Sequence, residues 1–242
     1  MSVKVWAHRG ASAYAPENTI AAFRMAMDMG ADGLELDVHL SSDGKLMVIH
    51  DETVDRTSNG SGRVVDMTCQ ELKRLDFSNG MQDYEGARIP TLQEVFGLIK
   101  NSSLTVNIEV KCDVVLYPGI WDKLIRLERE MGMQGRVLYS SFNHYVLQKI
   151  RELDPDAEIG LLYGNAMVDP WVYANYLKAN AIHPHYLAAL QCPGLMEGCA
   201  ENGVRVNTWT VNKPEDVLAL ANKGVNAVIT NHPDMALKVL GR

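Results

Sequence analysis

Short apolar runs that read as strands alternate, along nearly the whole chain, with longer segments whose apolar residues recur at helical spacing. The runs are 3–8, 33–39, 104–111, 136–142, 157–163, 180–186, 204–211 and 226–231, eight in all. Between and after them, residues 18–29, 91–100, 119–131, 144–153, 168–179, 193–202, 214–223 and 234–240 carry the helical period, with Ile20, Phe23 and Met27 marking it in the first. Thr91-Leu92-Gln93-Glu94 reads as a capping box and Pro214 suits the first turn of its helix. Eight strand–helix units in 242 residues predict one α/β domain over residues 1–242, a (β/α)8 TIM barrel, with a doubly wound sheet as the lesser alternative. Catalytic groups then belong at the C-terminal ends of the strands and in the loops that follow.

One interval breaks the rhythm. About fifty residues separate the second run from the helix at Thr91, and they include a strand-like Lys45–His50 and a helix start at Thr68-Cys69-Gln70-Glu71. This predicts a small insertion after the second strand, at about 51–90, whose glycine-marked segments form irregular surface loops over the barrel mouth. Ser41-Ser42-Asp43-Gly44 is too short for the dozen or so residues of a parallel crossover, so the strand at 45–50 must turn back as a hairpin. Folding about Ser42-Asp43 sets His50 roughly opposite Glu35, within a residue or two.

In Gly33-Leu34-Glu35-Leu36-Asp37-Val38-His39-Leu40 the apolar and polar residues alternate, so Glu35 and Asp37 point into the barrel while the leucines and valine face the helices. Asn107, Glu109 and Lys111 share one face of the next barrel strand in the same way. Three inward acids, Glu35, Asp37 and Glu109, form a site for a hard divalent cation such as Mg²⁺, Ca²⁺ or Mn²⁺, the alternative being a salt-bridge cluster with Lys111 and Arg9. His8 ends the first strand, with Arg9 beside it as a forked donor and Gly10 permitting a tight turn. His8 and His50 at one mouth suit paired acid and base work near neutral pH.

The remaining candidates carry less. Trp209 either walls the pocket or packs the upper layer of the barrel. His39 lies on a strand leaving the barrel and reads as a solvated hairpin residue. His183 and His185 read as pocket lining at most. The positive end of the helix after Asn18 is a further phosphate candidate whose aim the preceding loop leaves open.

His8-Arg9-Gly10, Pro16-Glu17-Asn18-Thr19, Glu35-Leu36-Asp37-Val38, Asp43-Gly44, His50-Asp51 and Asn107-Ile108-Glu109-Val110-Lys111, in that order, resemble the glycerophosphodiester phosphodiesterase family. Thr208-Trp209-Thr210-Val211-Asn212 and Ile229-Thr230-Asn231-His232-Pro233-Asp234 extend the resemblance from about residue 3 to about 238. It implies a (β/α)8 barrel that hydrolyses glycerophosphodiesters to sn-glycerol 3-phosphate and an alcohol with one divalent cation. By position, it implies Glu35, Asp37 and Glu109 as metal ligands, His8 and His50 as the acid–base pair, and Arg9 and Lys111 on the phosphate. Ser41 and Ser58 replace expected threonines, a change between hydroxyl residues. The nucleophile is either water or the neighbouring glycerol hydroxyl, which would give a cyclic phosphate.

Charge and targeting signals bound the partners. Lys and Arg number 23 against 30 Asp and Glu, a net charge of −7 with no basic run, which argues against nucleic acid. An acidic chain can still take a small phosphodiester if a metal, an arginine or a helix N-terminus meets its charge locally. The N-terminus enters a strand without a signal-peptide pattern, no apolar stretch is long enough for a span, and Cys69, Cys112, Cys192 and Cys199 read as reduced thiols. These features predict a cytoplasmic enzyme without stable membrane association. A lysophospholipase D would need an apolar loop, and the insertion is mostly polar, with scattered Met67, Leu72, Leu75, Phe77 and Met81.

Overall fold

The structure, a computed structural model, describes residues 3–242. Its strands are β1 (Lys4–His8), β2 (Gly33–Leu40), β3 (Leu46–Val48), β4 (Thr105–Val110), β5 (Val137–Ser141), β6 (Glu158–Tyr163), β7 (Ala181–Pro184), β8 (Arg205–Thr208) and β9 (Ala227–Thr230). All but β3 run parallel, in the order β1-β9-β8-β7-β6-β5-β4-β2, and β1 pairs with β2 to close the barrel. The expected (β/α)8 barrel is therefore the fold.

The helices are α1 (Ile20–Asp28), α2 (Cys69–Leu72), α3 (Leu92–Ile99), α4 (Ile120–Met131), α5 (His144–Leu153), α6 (Pro170–Tyr176), α7 (Tyr186–Gln191), α8 (Leu195–Glu201), α9 (Pro214–Lys223) and α10 (Pro233–Val239). Local signals set their starts. Thr19 caps α1 by accepting from the Ala22 N–H, and Thr68 and Thr91 each form the reciprocal capping box with Glu71 and Glu94. Pro214 occupies the first turn of α9. The short α7 was not expected from the sequence, because six residues are too few for a helical period to register, and the run read as a strand over 180–186 stops at Pro184.

Alternation along each strand divides the apolar residues into two cores. Val5, Ala7, Leu34, Leu36, Val38, Val106, Ile108 and Val110 face outwards into one large cluster with the helices. Trp6, Leu138, Ala181, Ala227 and Ile229 fill the barrel interior, with Trp209 packed on them. Two strand glycines leave room for the interior rings. A Cβ on Gly33 would lie 2.8 Å from Cδ1 of Trp6, and one on Gly160 would lie within 3.0 Å of three atoms of the His183 ring.

The segment between β2 and α3 contains more than surface loops. Strand β3 pairs antiparallel with β2, and Met47, Ile49, Val54, Val64, Leu72, Phe77 and Ile89 bury one another in a cluster of their own. The hairpin register pairs Val38 with Val48 and Leu40 with Leu46, and Ile49 N–H donates to the Asp37 carbonyl at 3.1 Å. Continued, this register places His50 across from Leu36, one residue from the expected position.

Candidate active site

Strand register brings the acids together. On adjacent parallel strands His8 is level with Glu35, Glu35 with Asn107, and Asp37 with Glu109. A carboxylate oxygen from each of Glu35, Asp37 and Glu109 lies within 4.8 Å of the others, and all three residues are buried. Like charges at that separation repel by about 3 kcal/mol per pair at an effective dielectric constant of about 20. Burial, with Asp37 and Glu109 adding to it, therefore pushes the Glu35 carboxyl well above the usual carboxylate range, and burial followed by Asp37 also raises Glu109. Burial also acts upwards on Asp37, but Arg9, His50 and Lys111 outweigh it and hold that carboxyl low.

Two cations stand among these acids. The Arg9 backbone N–H donates to Glu35 at 3.0 Å, and its guanidinium donates to Glu17 at 2.9 Å and lies 3.4 Å from Asp37. Lys111 donates to Glu109 at 2.7 Å and stops 4.0 Å from Asp37. Arg9 adopts a left-handed backbone, φ 55°, and Gly10 follows at φ 81°. A Cβ on Gly10 would meet the backbone of Ala22 at 2.6 Å, so the turn that presents His8 and Arg9 excludes any other residue there.

The two histidines are held differently. His8 Nδ1 pairs with Asn231 Oδ1 at 2.6 Å, a contact in which the ring donates and which leaves Nε2 free, 4.0 Å from Glu35. Burial, reinforced by Arg9, lowers the His8 pKa to about 4. His50 Nδ1 donates to Asp51 at 2.6 Å, and Asp51 is gripped in turn by Arg56 at 2.7 and 3.0 Å. Arg56 also forks onto Glu17 with two bonds of 2.8 Å, so one guanidinium ties the partner of His50 to the partner of Arg9.

His39 departs from expectation. It is fully buried rather than solvated, because the hairpin and Tyr117 cover it. Its Nε2 faces the His50 carbonyl at 3.0 Å and so carries the proton, which makes Nδ1 the acceptor of the Tyr117 hydroxyl at 2.9 Å. His183 also leaves the pocket: it is buried inside the barrel against Asn207, and burial followed by Arg205 depresses its pKa to about 3. Trp209 is half-buried, its Nε1–H donates to the His183 carbonyl at 2.8 Å, and the Phe142 and His185 rings meet it edge-on.

Sequence reasoning thus named the acids, both histidines, Arg9 and Lys111, which the fold gathers at one end of the barrel. It missed Asn18, whose amide donates to Asp37 at 2.8 Å, and it missed Glu17, Asp51, Arg56 and Asn231 as supports. Four of these lie in motifs already noticed, and Arg56 stands only five residues past Asp51.

Comparison with known proteins agrees with this arrangement. The family model described as the glycerophosphoryl diester phosphodiesterase family matches residues 8–235. The chain belongs to this family. Membership in the glycerophosphoryl diester phosphodiesterase family makes it an enzyme, a phosphoric diester hydrolase. A glycerophosphodiester phosphodiesterase of Caldanaerobacter subterraneus subsp. tengcongensis is 48% identical over 241 residues, covering 99% of this chain and 98% of the relative. Among solved structures of the family, a glycerophosphodiester phosphodiesterase from Agrobacterium tumefaciens superposes with a TM-score of 0.85 at 30% identity, covering 98% of this chain and 99% of that one. An Oleispira antarctica phosphodiesterase in complex with the product sn-glycerol-3-phosphate superposes with a TM-score of 0.87 at 29% identity, covering 100% of this chain and 98% of that one.

Proposed function

We propose that the chain hydrolyses glycerophosphodiesters to sn-glycerol 3-phosphate and an alcohol, with one divalent cation, Mg²⁺, Ca²⁺ or Mn²⁺, held by Glu35, Asp37 and Glu109. The observation that carries this reading is the convergence of three buried carboxylates between two histidines. The donor set fits a hard cation: all three ligands offer oxygen, and Asp37 Oδ1 is buried without a hydrogen-bond partner. Fully ionised, the three acids outnumber Arg9 and Lys111 by one charge, an excess that the raised Glu35 and Glu109 carboxyls reflect and that opposes an anionic substrate. A bound divalent cation supplies the missing positive charge and stabilises charge that grows on the phosphoryl oxygens.

The chain's own groups divide the remaining work. Arg9 and Lys111 bind and orient the phosphate, and Trp209 walls the glycerol moiety. His8 is neutral at physiological pH, and its free Nε2 takes the proton from the attacking oxygen. His50 delivers a proton from Nε2 to the departing alcohol, because its Nδ1 is engaged by the Asp51 carboxylate, a partner that suits a ring passing through its cationic form. Both nucleophiles, water or the glycerol hydroxyl, meet this base equally well. Four free cysteines fit a reducing compartment, no helix among the described residues is long and apolar enough to cross a membrane, and we assign the enzyme to the cytoplasm.

The test is release of glycerol 3-phosphate from glycerophosphocholine, lost on chelation and restored by Mg²⁺ or Ca²⁺. Activity that survives both the chelator and a Glu35→Ala, Asp37→Ala double change overturns the metal assignment.

A further inference from the structure

Beyond Phe142 the mouth opens into a cavity of about 410 Å³ lined by Asp113, Phe142, Asn143, His144, Tyr145 and Tyr173. The loops after β4 and β5, the first turn of α5 and helix α6 supply these residues. The cavity adjoins the phosphate site on two sides. Asp113 follows Lys111 by two residues and lies within its electrostatic reach, and Phe142 packs edge-on against Trp209 with ring centroids 5.5 Å apart. Trp209 and Phe142 thus join the cavity to the barrel mouth, and past Phe142 there is room for the alcohol arm of a diester.

The lining has a definite chemistry. Its aromatic rings are Phe142, Tyr145 and Tyr173, and Tyr145 is 81% exposed, a large uncovered ring at the mouth. Tyr173 is fixed by His144: the His144 Nε2–H donates to the Leu162 carbonyl at 3.0 Å, leaving Nδ1 to accept the Tyr173 hydroxyl at 3.2 Å. His144 is thereby a neutral brace and adds no positive charge. The acids here are Asp113 and, from the insertion, Glu52, close enough to act on each other; the nearest cation, Lys111, is bound to Glu109 at 2.7 Å. Rings with a neighbouring carboxylate attract an alkylammonium, through the negative ring faces and the charge together.

We propose that this cavity is the leaving-group subsite and that it selects diesters whose alcohol carries an ammonium, such as choline, over those with a neutral polyol. The proposal rests on the phosphodiesterase reading and adds to it a basis for discrimination, with Asp113, Phe142, Tyr145 and Tyr173 as the specificity-determining residues. The ammonium sits against the rings with Asp113 as counter-ion, while the ester oxygen remains at the phosphate site.

Two measurements test it. The first is kcat/KM for glycerophosphocholine and for glycerophosphoglycerol with wild type, Asp113→Asn and a Tyr145→Leu, Tyr173→Leu double variant. Wild type should favour the cationic diester about tenfold or more, and both variants should collapse that ratio; because the ratio is internal, a general loss of folding does not mimic the result. Equal values in wild type, or a ratio the variants do not move, overturn the subsite while leaving the phosphodiesterase intact. Hydrolysis of neither diester overturns the phosphodiesterase reading instead. The second is calorimetric titration of the wild-type enzyme, with glycerol 3-phosphate present, by choline and by its uncharged isostere 3,3-dimethylbutan-1-ol. Tighter binding of choline that Asp113→Asn abolishes supports the subsite, and equal binding of the two overturns it.

Discussion

Asp37 and Glu109 are register partners on adjacent parallel strands, both pointing into the barrel, and Lys111 lies within 4.0 Å of both carboxylates. Such a pair is destabilising on its own and becomes favourable when a cation is bound. The chelated protein should therefore be no less stable when Glu109 is replaced by Gln, since one buried charge disappears. Added Mg²⁺ at a hundred times its dissociation constant should stabilise wild type by about 2.7 kcal/mol, a rise in melting temperature of roughly 5–10 °C. Glu35→Gln and Glu109→Gln should lose that rise along with activity. Calorimetric melts with chelator and with metal check both halves, and a variant that keeps the full metal-induced rise refutes its ligand role.

Arg56 predicts a loss of rate without a loss of metal. It joins Asp51 to Glu17 through a fork that lysine cannot reproduce. Arg56→Lys should free His50 and Arg9 from their shared support and lower kcat about tenfold to a hundredfold, in line with the cost of an ångström-scale misplacement. The metal-induced melting shift should stay. A kcat within twofold of wild type would show that Asp51 and Glu17 hold their partners unaided.

Tyr117 predicts a stability effect from a single oxygen. Its hydroxyl is the hydrogen-bond donor to His39 Nδ1, and His39 in turn holds the His50 carbonyl. Tyr117→Phe leaves a buried nitrogen unpaired, at a cost of roughly 1–3 kcal/mol in denaturant unfolding. It should also lower kcat, because His50 loses part of its fixed backbone. An unchanged unfolding midpoint would mean that water replaces the hydroxyl.

Buried histidines predict the acid limb of stability. His183, held neutral in the interior, has its pKa lowered to about 3, and burial lowers His8, to about 4, as well as His39 and His144. An unfolded chain binds protons at these positions below about pH 6.5 while the folded chain does not, so stability rises with pH in that window. Full stability should be present above about pH 6.5 and decline as pH falls, by up to about 1.4 kcal/mol per pH unit for each histidine, with the His183 contribution exhausted near pH 3. Urea unfolding at pH 7.5 and pH 4.5 should show His183→Gln losing less stability across the interval than wild type. An equal loss would remove His183 from the account.

The legibility of this chain follows from the range of the forces involved. Strand alternation is a local property with period two, so Glu35, Asp37 and Glu109 could be assigned to the interior from the order of residues alone. Capping boxes at Thr68 and Thr91 are equally local and were readable for the same reason. His39 was misread because its environment comes from Tyr117, 78 positions away, and no periodicity records that contact. Helix α7 escaped because six residues do not define a period.

By itself, then, the sequence determined the barrel, the succession of its strands and helices, and which side chains of the second and third barrel strands face inwards, since these follow from patterning and from connection lengths. Only the tertiary structure decided which groups support the reactive ones: Asn231 under His8, Asp51 and Arg56 behind His50, His39 and Tyr117 beneath the hairpin, and the aromatic cavity beyond Phe142. These partnerships depend on strand register and on loops that meet across the mouth, and distances of a few ångströms between residues remote in the chain leave no periodic trace in the order of amino acids.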